Sequence, residues 1–112
     1  MDHNHYYDGR DLAKFGEVGK NRPELADKFF DWYNAVFAEG ALSMREKALI
    51  ALAVAHAVQC PYCIDAYSNE SLKQGADLDQ MTEAVHVAAA IRGGASLVHG
   101  VQMRGHVDKV GM

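Results

Sequence analysis

The chain has two cysteines, and they stand in Cys60-Pro61-Tyr62-Cys63. Positions i and i+3 share one face of a helix, which brings two sulfurs within disulfide reach. The same spacing also supplies half of a tetrahedral zinc site. Two neighbours extend the constellation. His56 lies four residues before Cys60, and Tyr67 four residues after Cys63. On a helix each is one turn away. An imidazole, titrating near pH ~6.5, can take a thiol proton. A phenol, titrating near pH ~10, is a hydrogen-bond donor to a thiolate and a poor base at neutrality. Each residue also has a plain structural reading. His56 can be a core histidine with its ring on a backbone carbonyl, and Tyr67 can simply pack.

Where the sulfurs sit decides between these uses. Pro61 has no N–H and drives Cys60 away from helical geometry. The pattern therefore predicts a break near 58–60, with Cys60 as N-cap and Pro61 at the first position of a new helix. A helix start stabilises an anion and so lowers the pKa of a thiol placed there. A thiolate attacks a peroxide, and the resulting sulfenic acid is captured by a neighbouring thiol. That chemistry needs no cofactor and no metal. The rival zinc set would be Cys60, Cys63, His56 and His99. It is disfavoured because structural zinc sits on loops that the metal organises, whereas these residues fall among helices with their own caps. Thioredoxin carries a strand before its Cys-x-x-Cys helix, and here a helix precedes it. His86 and His99 lie on small-residue helices and read as core or interface.

The elements that position this pair all read as helices. Residues 1–8 are a flexible lead, whose His3 and His5 read as tail residues. A short helix is predicted over 10–16, with Leu12 and Phe15 inward. Asn21-Arg22-Pro23-Glu24 is a box-like start, with Asn21 as cap. Leu25, Phe29, Trp32, Tyr33, Val36 and Phe37 then recur at helical spacing, reading as core or subunit interface, until Gly40 ends the helix. Ser43 and Glu46 form a capping box for the helix that carries Leu49, Leu52 and His56. The Pro61 helix runs to about Lys73 and stops before Gly75. Asp77 and Gln80 open the next helix. Arg92-Gly93-Gly94 predicts a kink or break there, since glycine costs about 1 kcal/mol against alanine in a helix. A last helix then reaches about Val107.

Composition narrows the class. A length of 112 residues points to one domain spanning 1–112. The net charge of −4 comes without any Lys/Arg cluster, which argues against nucleic acid as a partner. No apolar run is long enough to span a bilayer, and the N-terminal residues lack the pattern of a secretory signal. A cytoplasmic protein without membrane attachment is the expectation. Two cysteines are too few for a secreted disulfide framework.

The segment SMREKALIALAVAHAVQCPYCIDAY, followed by Gly75-Ala76-Asp77 and EAVHVAAAIRGGA, resembles the alkylhydroperoxidase D-like (AhpD-like) branch of the carboxymuconolactone decarboxylase superfamily. The likeness covers about 41–100. Over its whole length the chain also resembles small peroxidase-like proteins associated with arsenosugar biosynthesis. The resemblance implies an all-α fold with the Cys-x-x-Cys at a helix start, in homo-oligomers, often trimers or hexamers. It implies hydroperoxide reduction through Cys60 and Cys63, with Cys63 as attacker and Cys60 as resolver; the helix-cap argument alone favours Cys60. The electron donor it implies is a dihydrolipoyl or thioredoxin-like protein. The family's relay histidine falls on Tyr67 and its relay glutamate on Ala48, so both relay positions are changed. Glu46 lies two residues from Ala48, a rotation of about 200° along a helix, and points elsewhere. His56 is then the nearest candidate base. A non-catalytic subunit, decarboxylation, and binding of a trivalent arsenical by the dithiol are the competing readings. The cysteine pair argues against decarboxylation, whose namesake enzymes need none.

Overall fold

The computed structural model describes residues 7–111. His3 and His5 lie outside that range. A 3-10 helix, Gly9–Gly19, is followed by α1 (Pro23–Phe37), α2 (Met44–Ala57), α3 (Pro61–Lys73) and α4 (Leu78–Val110). No strand occurs among the described residues.

Cap chemistry sets most of these boundaries. Ser43 Oγ accepts the Glu46 N–H at 3.1 Å, and Glu46 Oε1 accepts the Ser43 N–H at 2.7 Å. Asp77 and Gln80 make the same reciprocal pair at 2.8 and 3.0 Å. Each box satisfies two N–H groups that the first helical turn leaves unpaired. α3 opens with Cys60 as N-cap and Pro61 in its first turn.

Two C-termini share one geometry. After α2, Gln59 takes φ 59°, its N–H bonds His56 O, and the Cys60 N–H bonds Ala55 O. After α3, Gly75 takes φ 87°, its N–H bonds Leu72 O, and the Ala76 N–H bonds Ser71 O. Both are Schellman turns, which pair the last carbonyls through one left-handed residue.

The body of the fold is α2 packed between α3 and α4. Ala48, Leu52 and Ala55 are the buried face of α2, and Ser71, Ala76 and Ala88 are buried against it. Alanine on this face keeps the helices close, so the turn between α2 and α3 is held on both sides. α1 and the 3-10 helix pack together, with Phe15 edge-on to Phe29 and Phe30.

Four boundaries differ from the sequence expectations. The N-cap of α1 is Arg22, not Asn21, and it makes no side-chain cap bond. Its guanidinium binds Glu24 at 2.7 Å instead, which removes the acid that would complete a box. α1 ends at Phe37, before Gly40, because Lys47 Nζ donates to Val36 O and Ala38 O at 2.8 and 2.6 Å. A cation on terminal carbonyls does what a C-terminal glycine would do. The short helix expected over 10–16 is a longer 3-10 helix, started by Asp8. Finally, α4 runs 33 residues without a break at Arg92-Gly93-Gly94. Arg92 donates to Ala57 O at the end of α2, and Ser96 Oγ donates to Arg92 O at 3.3 Å. The glycines lower propensity, but extending a formed helix needs no new nucleation.

The two left-handed positions give opposite predictions. Gly75→Ala should lower unfolding stability by about 1–2 kcal/mol, the cost of a Cβ in that conformation. Gln59→Gly should leave stability unchanged or slightly higher, since relief of about 1 kcal/mol of strain offsets the chain entropy of glycine. Urea unfolding midpoints for both variants check the contrast.

Candidate redox site at the start of α3

Cys60 belongs to two helix ends at once. Its N–H closes the Schellman turn of α2, and its Sγ caps α3 by accepting the Cys63 N–H at 3.3 Å. The Cys60 and Cys63 sulfurs are 2.7 Å apart, and both are free and half-buried. Closing a disulfide bond, about 2.05 Å long, requires the sulfurs to move by less than an ångström.

The two thiols are unequal. Burial, then the hydrogen bond from Cys60 and its charge, push the Cys63 thiol up to about 11. The Cys60 sulfur, by contrast, accepts the Cys63 N–H at the start of a helix.

Three cavities lie around the site, and two of them reach the pair. An outer cavity of 520 Å³ lies under the 3-10 helix, with Leu12, Phe15 and Val18 above and Cys60, Cys63 and Tyr62 below. A flanking cavity of 420 Å³ between α1 and α2 reaches Cys63 but not Cys60. An inner cavity of 190 Å³ holds Met44, Ala48 and Glu70. Tyr33 and Tyr67 line all three. Burial, then the charges of Cys63 and Cys60, raise the Tyr33 pKa, so its phenol stays protonated facing the sulfurs. Tyr67 stacks on Phe37, ring centroids 5.2 Å apart. Tyr62 donates to Asp11 Oδ2 at 3.2 Å, and Tyr7 donates to Asp65, so the segment over the outer cavity is tied to α3 twice.

His56 is placed differently from Tyr67. Its Nδ1 donates to Leu52 O at 2.8 Å, and it is not among the residues lining these cavities. The bond is the one a core histidine makes one turn along its own helix. His99 lies on α4 beside Arg92 and Ser96, against a separate surface hollow. Among the described residues no group of three His, Cys, Asp or Glu side chains is arranged to hold a metal ion. Among them also, no helix is long and apolar enough to cross a membrane.

Tyr33, Tyr62, Glu70 and Lys47 were not singled out as site residues by the sequence. Tyr33 sits in an aromatic stripe whose spacing says only that one face of α1 is apolar. Its approach to the sulfurs is tertiary and leaves no local signal. Glu70 did carry one: it stands three residues beyond Tyr67 and seven beyond Cys63.

Fold and site together define an all-helical protein with a dithiol at a helix N-terminus. Residues 23–103 match the carboxymuconolactone decarboxylase family. An uncharacterized protein encoded in the cox locus of Paracoccus denitrificans is 39% identical over 98 residues, spanning 88% of both chains. A crystal structure of a Methanobacterium thermoautotrophicum protein aligns with TM-score 0.72 and 36% identity, covering 75% of this chain and 94% of that one. A carboxymuconolactone decarboxylase family protein from Legionella pneumophila aligns with TM-score 0.69 and 33% identity, covering 83% and 84%. The chain belongs to the carboxymuconolactone decarboxylase family.

The inequality of the thiols is measurable. Alkylation by iodoacetamide, followed by mass spectrometry across pH, should show Cys63 reacting more slowly than an ordinary exposed thiol until the pH is well above neutrality. In Cys60→Ser the charge of Cys60 is gone and its hydrogen bond altered, so the remaining thiol should titrate lower, held up mainly by burial. An unshifted profile in that variant would show that Cys60 does not set the Cys63 pKa.

Proposed function

We propose that the chain is a thiol-dependent peroxidase-like oxidoreductase of the AhpD-like branch, cycling Cys60 and Cys63 between dithiol and disulfide. The observation that carries this reading is the pair itself: two free sulfurs 2.7 Å apart, one accepting a backbone N–H, at the floor of an apolar cavity.

The Cys60 thiolate attacks the terminal oxygen of a hydroperoxide. The O–O bond breaks, the alkoxide takes a proton and leaves as an alcohol, and Cys60 becomes a sulfenic acid. Cys63 sulfur then attacks Cys60 sulfur. Hydroxide leaves and, with the proton that Cys63 loses, becomes water. The two electrons that reduce the peroxide come from the sulfur pair. A dithiol donor, of dihydrolipoyl or thioredoxin-like type, returns them by exchange. Such a donor fits a reducing cytoplasmic setting. The apolar walls of the outer cavity suit the organic part of an alkyl hydroperoxide. The assignment of Cys60 as attacker rests on its cap position and the high Cys63 pKa; the family resemblance favours the opposite order.

The same reading includes self-association as trimers or hexamers. The Cα radius of gyration is 18.9 Å, against roughly 13 Å for a compact chain of about 100 residues. The excess reflects α4, whose Leu97, Val98, Val101 and Val107 are at least half exposed. A second copy of the chain covering this face would bury it.

One equivalent of an alkyl hydroperoxide should convert two titratable thiols to none in the wild type. Cys60→Ser should leave peroxide unconsumed. Cys63→Ser should stop at a sulfenic acid that dimedone traps. The reverse pattern would make Cys63 the attacker. Thiols that survive peroxide, in a protein still assembled by sedimentation, would favour a non-catalytic subunit. Arsenite bound stoichiometrically in calorimetry, with thiols inert to peroxide, would point instead to the arsenical reading.

A further inference from the structure

Burial raises the Cys63 thiol, so when the pair closes at neutrality Cys63 still carries a proton that has to go somewhere. His56 donates to Leu52 O and does not line the site cavities. Two carboxylates do line them, Asp11 and Glu70. Asp11 is on the 3-10 helix, where its Oδ2 accepts the Tyr62 hydroxyl. Glu70 is on α3 itself, half-buried in the inner cavity with Tyr33 and Tyr67.

Cys63, Tyr67, Glu70 and Gln74 follow one another at i, i+4, i+7 and i+11 along α3. That spacing is a single stripe down one face of a helix. Gln74 Nε2 donates to Glu70 Oε2 at 2.7 Å, which orients the carboxylate. Opposite, Ala48 is 1% exposed and ends at one methyl group, and the space left there is the inner cavity. The other groups around Glu70 are accounted for. From α1 comes the protonated Tyr33 phenol. From α2 come Met44 and Ala48, with Lys47 committed to Val36 O and Ala38 O. On α3, Lys73 lies one turn further and is exposed.

We propose that Glu70 is a positioning residue that receives the Cys63 proton through the Tyr67 phenol. Tyr67 oxygen accepts the thiol proton as its own proton passes to the Glu70 carboxylate, so Cys63 attacks as a thiolate. The inference rests on the dithiol reading of the site but not on the identity of the oxidant.

An aromatic disulfide, dithiobis(nitrobenzoate), isolates the step. Attack by Cys60 releases one coloured thiolate and leaves a mixed disulfide. Attack by Cys63 on Cys60 sulfur then releases the second thiolate, and the Cys63 proton goes to the base. In the wild type the second release should be fast and nearly flat with pH across neutrality. In Glu70→Gln it should fall by about 10- to 100-fold at neutral pH, within or below the usual range for general-base loss. It should then climb with pH and meet the wild type as Cys63 ionises unaided. Glu70→Asp should retain much of the rate, and formate should restore Glu70→Ala. Tyr67→Phe should behave as Glu70→Gln does. A second release in Glu70→Gln with the wild-type pH profile overturns the inference. If peroxide leaves the wild-type thiols untouched while the second release still depends on Glu70, the peroxidase reading falls and this one stands.

Discussion

The structure depends on one residue serving two helix ends. The Cys60 N–H completes the turn that terminates α2, while its sulfur caps α3. A helix stop and a helix start normally need separate residues with a linker between them. Here only Val58, Gln59 and Cys60 separate the helices, and Gln59 takes the left-handed conformation that so short a reversal demands. Arg92 reaches across from α4 to Ala57 O, so the joint is held from a third helix as well. The sulfur is therefore fixed by backbone geometry, and its rotamer is constrained before any substrate arrives.

Fixing Cys60 makes the pair asymmetric. Helix spacing brings Cys63 next to Cys60, but only one of the two sulfurs can be the cap. The capping sulfur accepts a backbone N–H, whereas the other is pushed up by burial and by its neighbour Cys60. The cavities repeat the division, since the outer one touches both sulfurs and the flanking one only Cys63. α1 contributes Tyr33 to this region because Lys47 stops it at Phe37 and ties it to α2.

Local rules were legible where the partners are neighbours in sequence. Ser43 with Glu46, Asp77 with Gln80, and Cys60 before Pro61 each declare a cap within four residues, and each cap forms. The family was legible from the same stretches. What was not legible depends on partners far along the chain. Arg22 goes to Glu24 rather than leaving it for Asn21, Lys47 ends α1 from eleven residues away, and Arg92 bonds α2 where the glycines suggested a break. Tyr33 belongs to the site only through the packing of α1. His56 shows the converse. Its spacing to Cys60 suggests a base, yet Cys60 lies past the end of α2, and the ring Nδ1 bonds the Leu52 carbonyl one turn back on its own helix.

The helix that carries the sulfurs also organises the polar residues behind them. Burial raises the Cys63 thiol, so at pH 7 only a small fraction of it is ionised when the pair closes. Closure of the pair is slow on that population unless proton loss and attack are coupled. Tyrosines cannot be the final acceptor, because a phenolate at neutral pH is as improbable as the thiolate. They can carry a proton from one neighbour to another. A carboxylate two turns below Cys63, with a phenol between and a glutamine beneath, completes such a path within one helix. Cys63, Tyr67 and Glu70, the members of this path, all belong to α3.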